Sequence, residues 1–494
     1  MRKDQARPVR FLLGDEPREL SGLDPNMTVL SYLRRVERRV GTKEGCGEGD
    51  CGACTVVLGE VEGDRLRYRA VNSCIQFVGT LDGKQLLTVE DLAAPDGDLH
   101  PCQQALVDCH GSQCGFCTPG FVMSLFALYQ EPGPADRNRI DDALAGNLCR
   151  CTGYGPIAAA AKTMKAIGKP DRFARHAKQT IAALRKLDDG AMPQLEGDGR
   201  RYFAPRSVNA LGQLLMQHPG ATILAGGTDA GLWVTKQLRQ LDPVISVGEV
   251  AELKTITVND RWIEIGAAVT YADAMATIEA HHPDMAAMMR RLGSEQIRNA
   301  GTIGGNIANG SPIGDSPPPL IALGSRVVLR RGDRYRELAL EDFFLDYGKQ
   351  DRQSAEFLVA VRVPVADPKR ILRCYKVAKR FDQDITAALG AFVLTLDGSM
   401  VEDIRICFGG MAPVPKRARQ TEAALNGKEW NRDNVEAACW IISEDYTPIT
   451  DMRASARYRL RVAQNLLRKF FIETTEPTIR TRILAERRAA HARA

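Results

Sequence analysis

The sequence predicts an α+β multidomain chain. Three observations carry this reading. The first stretch mixes short strand patterns with one helical pattern, the second is wholly helical, and from Ala221 the texture turns to strands and glycine loops. At 494 residues, length alone suggests about three domains. Charged residues are 26% and apolar residues 44%, as in ordinary globular protein. Lys plus Arg is 66 against 61 for Asp plus Glu, and the resulting +5 does not suggest a nucleic-acid partner. The charged start is followed by only three apolar residues, Phe11 to Leu13, short of the roughly 7–15 of a secretory signal. Residues 121–129 are far short of the roughly 20 needed to span a membrane. The expectation is a soluble, cytoplasmic protein with no membrane attachment.

In the first unit, residues 9–12 read as a strand. Residues 28–36 place Val29, Leu30, Leu33 and Val36 at helical spacing, and residues 55–58 and 67–71 alternate as strands do. The second unit has helical patterns from Gln103 onward, with helices over 119–129, 140–148 and 157–167. Residues 169–200 are charged and broken by Gly190, Pro193, Gly197 and Gly199, which reads as a linker with one amphipathic helix over 173–187. Strand-like runs follow at 222–225, 243–247, 262–265, 326–330 and 358–364. A last α+β segment has strands at 392–396 and 404–408, then long helices and an Arg-rich tail. The expected divisions are 1–92, 93–168, a linker at 169–200, 201–370, 371–478 and a basic tail at 479–494.

The chemistry lies in the cysteines. There are 13, against 7 His, and eight of them fall into two sets of four. Cys46, Cys51 and Cys54, with Cys74 after nineteen intervening residues, have the C-x4-C-x2-C…C spacing of a plant-type 2Fe–2S site. Three thiolates from so short a loop require tight backbone turns, which Gly45, Gly47, Gly49 and Gly52 permit. They also leave N–H groups free to bond the sulfurs. The stretch from Gly47 to Gly52 formally matches G-x-G-x-x-G. It lacks the strand before and the helix after that a dinucleotide fingerprint needs.

Cys114, Cys117, Cys149 and Cys151 form a C-x2-C…C-x-C set that suits zinc or a second cluster. A C-x-C arm is atypical of zinc. In a reducing cytosol such thiols bind metal or do redox chemistry more often than they form disulfides. Cys102, Cys109, Cys374, Cys407 and Cys439 read as core thiols. His100 and His110 read as satisfied histidines, since both tetrads are already complete.

Two glycine loops stand beside strands. The first is Ile223, Leu224, Ala225, Gly226, Gly227, Thr228, Asp229 and Ala230. The second holds Thr302, Ile303, Gly304, Gly305 and Asn306, with Asp315 shortly after. A glycine turn is most often only a turn. A pair of them points to one extended dinucleotide bound without a Rossmann unit, its pyrophosphate on backbone N–H groups. By composition, residues 375–385 are a solvated hairpin loop. The chain has no candidate for substrate chemistry: no His/carboxylate zinc site, no nucleophile elbow and no P-loop.

Both tetrads, in this order, with the run Gln113 to Gly120 (QCGFCTPG) and the run Cys149 to Tyr154 (CRCTGY), resemble the iron–sulfur portion of the xanthine oxidase family of molybdenum hydroxylases. Residues 1 to about 475 resemble the iron–sulfur/FAD subunit of its bacterial members. The resemblance implies a β-grasp plant-type ferredoxin domain and a four-helix 2Fe–2S domain. It further implies a non-Rossmann α+β FAD-binding domain of two subdomains and an α+β C-terminal flavoprotein domain.

It also implies that both glycine loops and Asp315 hold FAD, with Leu292 against the adenine and Leu358 and Lys376 touching the flavin. Arg380 and Asp384 would lie in the loop beside the flavin ring, where NAD approaches as acceptor. Gln113 would contact a molybdopterin cofactor on a large partner subunit, in a heterotetramer of two small and two large subunits. Electrons from hypoxanthine and xanthine oxidation to urate would cross the Cys114 cluster, then the Cys46 cluster, to FAD and NAD. The competing readings are the same component of an aldehyde, nicotinate or carbon monoxide dehydrogenase, and a zinc-stabilised binding module.

Overall fold

The computed structural model describes residues 6–166 and 171–482. The first unit is a five-stranded mixed sheet with one short helix. Strand Val9–Leu13 pairs antiparallel with Glu16–Leu20 and parallel with Gln85–Leu87, and the latter pairs with Thr55–Glu62, which pairs with Arg65–Asn72. Alternation buries Val9, Phe11 and Leu13. Thr28 caps the helix by accepting from the Ser31 N–H at 3.1 Å.

The helix begins as expected but passes into a π-helical turn over Tyr32–Val36. The extra residue in that turn rotates Val36 off the apolar face, leaving it 46% exposed. Its core place is taken by Tyr32.

The second unit has four helices, Pro101–Asp108, Thr118–Gln130, Arg137–Leu144 and Gly155–Ala166. Thr118–Gln130 is the central one, and every residue from Gly120 to Leu128 is buried. A helix so apolar all round must be enclosed by its neighbours. The helix expected to reach residue 148 stops at Leu144, and the turn that follows carries Cys149 to its site. His100 is buried, bonded to Asp171 at 2.8 Å and ringed by Phe126, Tyr129 and Phe173. It is a satisfied core histidine.

The amphipathic helix of the expected linker is present as Arg172–Leu187, capped by Asp171. The glycine-rich stretch after it is not a linker. It forms the hairpin Met192–Gly197 and Arg200–Phe203, turning through Gly199 at φ +72°. This hairpin joins the N-terminal strand Ala6–Arg7 to Val244–Ser246 and Thr222–Leu224 in one sheet. A third five-stranded sheet is built from Ile256–Val258, Trp262–Gly266, Phe357–Pro364, Arg326–Arg331 and Arg334–Ala339. The last domain packs helices, including Arg432–Asp445 and Ala456–Thr475, on a four-stranded sheet centred on Ala388–Asp397 and Met400–Gly409.

Cys102, Cys374, Cys407 and Cys439 are buried, whereas Cys109 is only half-buried. The start of the expected basic tail is tied down, since Arg482 pairs with Asp284 and Glu473. Residues 483–494 of that tail lie outside the described residues. No helix among the described residues is long and apolar enough to cross a membrane.

One apolar core runs across the boundary between the first unit and the first flavin-side sheet, joining Phe11, Val78 and Leu81 to Leu195, Tyr202 and Leu224. Gly79 lies under the buried Tyr202 ring, where an added Cβ would stand 2.7 Å from ring carbon. Gly79→Ala is expected to lower stability by about 1–3 kcal/mol, the usual cost of overpacking. Gly155→Ala, which meets nothing within 4 Å, should leave it unchanged. Urea unfolding of both variants checks the contrast.

Candidate functional site

The first cysteine loop lies between the sheet and the flavin-side domains. Backbone N–H groups of Glu48, Asp50 and Cys51 each donate to the Cys46 sulfur at 3.4 Å. Hydrogen bonds from the Cys51 and Cys74 thiols and from this backbone hold Cys46 well below the ordinary thiol range, while Cys51 and Cys74 are pushed up in return. The Cys54 thiol donates to Asn72 Oδ1 at 3.8 Å.

At the second site Cys117 meets Cys149 and Cys114 meets Cys151. Burial and the Cys149 contact push Cys117 up to about 12. Burial of Cys149 is outweighed by hydrogen bonds from Thr152 and the backbone, which hold its thiol low.

Among the described residues no group of three or more His, Cys, Asp or Glu side chains closes on a point where one ion would sit. Cys46 meets both Cys51 and Cys74, and at the second site Cys117 meets Cys149 and Cys114 meets Cys151. Pairing with N–H donors around the sulfur suits a two-iron cluster, in which two thiolates serve each iron.

The two sites differ in exposure. Cys54 and Cys74 are buried, whereas Cys114 and Cys151 are exposed, flanked by Gln113 and by Phe116, which is 50% exposed. Between the sites the two loops touch through backbone. A Cβ on Gly52 would lie 2.1 Å from the Gly146 carbonyl oxygen, and one on Gly120 would lie 2.2 Å from that of Gly52. The Leu148 N–H donates to the Cys51 carbonyl at 3.0 Å, so one hydrogen bond connects a residue of the first tetrad to the neighbour of Cys149.

The glycine loops surround a cavity of about 560 Å³. All eight residues from Ile223 to Ala230 line it, as do Thr302, Gly304, Gly305, Asn306, Leu292 and Leu358. Gly226 is obligatory by contact, since its Cβ would stand 1.9 Å from the Ala300 carbonyl oxygen. The second loop is anchored from behind. Thr302 accepts from the Gly305 N–H at 2.9 Å, Ile303 donates to the Val269 carbonyl, and Asn306 accepts from Ser316, which contacts Tyr271. The two glycine loops leave a cradle of the size of cofactor pockets in general. The residues fit a dinucleotide.

Burial pushes the Asp229 carboxyl above its ordinary range. Asp50 is raised likewise, with Arg380 drawing it back.

Five expected residues sit elsewhere than on the cavity wall. Ile303 points into the core. Asp315 and Lys376 form a buried ion pair at 2.6 Å, with Thr386 donating to Asp315 and Lys376 donating to the Arg291 carbonyl. A buried ammonium needs a counter-charge, and Asp315 supplies it. Arg380 and Asp384 pair with each other at 3.5 Å, and it is Gln383 of their loop that reaches the cavity. One feature is marked by no sequence pattern: Glu48, Gly49 and Asp50 of the first cysteine loop form part of the cavity wall. Gln76, two residues after Cys74, donates to the Gly226 carbonyl at 3.1 Å, and Lys236 donates to the Cys46 carbonyl. Tyr271 and Arg352 also line the cavity, and no sequence pattern marks either.

Known proteins agree with this arrangement. Residues 13–78 match the family described as 2Fe-2S iron-sulfur cluster binding domain, and 88–162 match the [2Fe-2S] binding domain. Residues 195–366 match the FAD binding domain in molybdopterin dehydrogenase, and 373–474 match the CO dehydrogenase flavoprotein C-terminal domain. Xanthine dehydrogenase 1 of Arabidopsis thaliana is 32% identical over 520 residues, covering 90% of this chain and 38% of the relative. The chain thus spans well under half the length of the curated relatives it matches.

A chain of carbon monoxide dehydrogenase from Hydrogenophaga pseudoflava, in a form lacking the Mo-pyranopterin moiety, superposes with TM-score 0.52 at 30% identity. The match covers 54% of this chain and 94% of that one. Quinoline 2-oxidoreductase from Pseudomonas putida 86 shares the fold at 23% identity and TM-score 0.51, over 55% and 95%.

Two iron–sulfur domains followed by an FAD-binding domain define an iron–sulfur flavoprotein. The chain belongs to the xanthine oxidase family of molybdenum hydroxylases.

Lys376→Met would leave the Asp315 carboxylate buried without its cation. A stability loss of about 3–5 kcal/mol is expected, the usual result of breaking a buried pair from one side. A thermal midpoint close to that of the parent would refute it.

Proposed function

We propose that the chain is the electron-transfer component of a xanthine dehydrogenase. The observation that carries this is the placement of the sites. The first cysteine loop is part of the flavin cavity wall, the second tetrad opens to the surface on the other side, and backbone contact joins the two. The curated relatives named xanthine dehydrogenase support the purine substrate.

In this reading Cys46, Cys51, Cys54 and Cys74 hold one 2Fe–2S cluster, and Cys114, Cys117, Cys149 and Cys151 hold the other. The backbone of Ile223 to Ala230 and of Thr302 to Asn306 holds FAD, with Leu292 and Leu358 against its rings. Bound there, the clusters carry single electrons and the flavin pairs them for hydride transfer to NAD. The protein's own work is positional. Glu48, Asp50 and Cys51 offer N–H groups to Cys46, which favours its thiolate. Lys376 and Asp315 tie the second loop's continuation to strand Arg370–Val377.

The exposed face around Gln113, Phe116, Leu148 and Tyr154 would receive a large molybdopterin-binding subunit, in a cytoplasmic heterotetramer of two small and two large subunits. An exposed apolar group beside exposed thiols supports a partner there.

The second reading is a component of a carbon monoxide, aldehyde or nicotinate dehydrogenase, favoured by the carbon monoxide dehydrogenase chain at 30% identity.

Copurification with the partner, followed by assay with xanthine and NAD, tests the proposal. NADH formation is expected. Turnover of an aldehyde without xanthine turnover would favour the second reading. Within the first, Cys114→Ser should leave NADH–flavin exchange intact and abolish xanthine-to-NAD turnover. Unimpaired turnover would refute the relay.

A further inference from the structure

The two cysteine loops meet at a polar knot with no access to water, and one of its members comes from the flavin domain. Thr55 follows Cys54, Ser124 lies on the helix after Cys117, Asn147 precedes Cys149 by two residues, and Gln296 lies on helix Glu295–Ala300. All four are at most 2% exposed.

The direction of each bond can be read. The Thr55 hydroxyl donates to the Gly52 carbonyl and the Ser124 hydroxyl to Asn147 Oδ1, both at 2.7 Å. Asn147 Nδ2 donates to the Gly52 carbonyl at 3.1 Å. With these hydrogens committed, the oxygens of Thr55, Ser124 and Asn147 still accept, and Gln296 Nε2 lies 3.1–3.2 Å from all three. Turning the Gln296 amide over would set its oxygen against three acceptors, so its orientation is determined.

Gln296 Oε1 has no conventional donor. It faces Gly146, where an added Cβ would lie 2.0 Å away. Only a residue without a side chain fits there, and its Cα–H supplies a weak contact.

We propose that Gln296 is the positioning residue that sets the register of the two cysteine loops, and with it the Cys51–Leu148 hydrogen bond between the cluster sites. The same short segment supplies Leu292, Ser294 and Ile297 to the flavin cavity wall. The flavin domain thereby holds the junction through which electrons would pass before reaching it. The inference rests on the cluster reading above, while its geometric part concerns the loops alone.

The test is Gln296→Leu in the full chain with its native cofactors, and Gln296→Met, whose flexible side chain fills the same space. Hydrogen exchange at the Leu148 amide is measured together with the EPR spectrum of the reduced protein, where two neighbouring clusters broaden or split each other's signals. Exchange at Leu148 is expected to be roughly tenfold faster, equivalent to about 1.4 kcal/mol. The inter-cluster interaction in the EPR spectrum should change, with iron and flavin content as in the parent. Leu148 protection at the parent's level, or an unaltered interaction, in whichever variant folds would overturn the proposal, even if the melting temperature fell. A parent that carries no iron would overturn the cluster reading instead, and the exchange measurement would still decide the role of Gln296 in the loops.

Discussion

The rest of the molecule depends on how closely the two cysteine loops approach. Gly52 and Gly120 bring main chain against main chain at distances that exclude any Cβ, and a Cβ on Gly146 would strike the Gln296 and Ser294 side chains. The approach is limited by van der Waals contact and closed by the Cys51–Leu148 bond. Backbone groups pressed together in this way cannot reach water, so they must be satisfied from within. Thr55 and Asn147 do this at the Gly52 carbonyl, and Ser124 and Gln296 bond to those two side chains in turn. The requirement explains why polar side chains from three domains occupy what would otherwise be apolar core.

The flavin side is docked with similar economy. The segment just after Cys74 lies against the first glycine loop, where Ile75 fills the space that Gly227 and Gly231 leave open and Gln76 bonds Gly226. Lys236 reaches the Cys46 carbonyl from the other side. A shared apolar core beneath these contacts makes the first unit and the first flavin-side sheet one packed body. Distances between the thiol sites and the cavity are therefore properties of a rigid interior. Electron transfer between fixed centres requires that rigidity more than it requires any single residue's chemistry.

Much of the site was legible along the chain, and the reason is local. Thiols that must converge from one short loop have few permitted spacings, so Cys46, Cys51 and Cys54 declare themselves, as do Cys114 and Cys117. The glycine loops are legible in the same way, because close backbone approach demands glycine. The helix over 28–36 was legible in extent but not in its π-helical end, which moved Val36 to the surface. The stretch 190–199 misled because turn residues look alike in a linker and in a hairpin. No spacing in the sequence marks the buried Asp315–Lys376 ion pair.

The sequence by itself displayed the spacing of the two cysteine sets, the order of the domains and the glycine loops, since these depend on residues within one loop's reach. Only the tertiary structure decided that the first cysteine loop would wall the flavin cavity and that the second tetrad would face outward. It alone placed Gln296 between them, 241 residues from Thr55. Contacts over such separations leave no periodicity or spacing to read. They arise when buried polar groups from distant segments must find one another because no water remains to satisfy them.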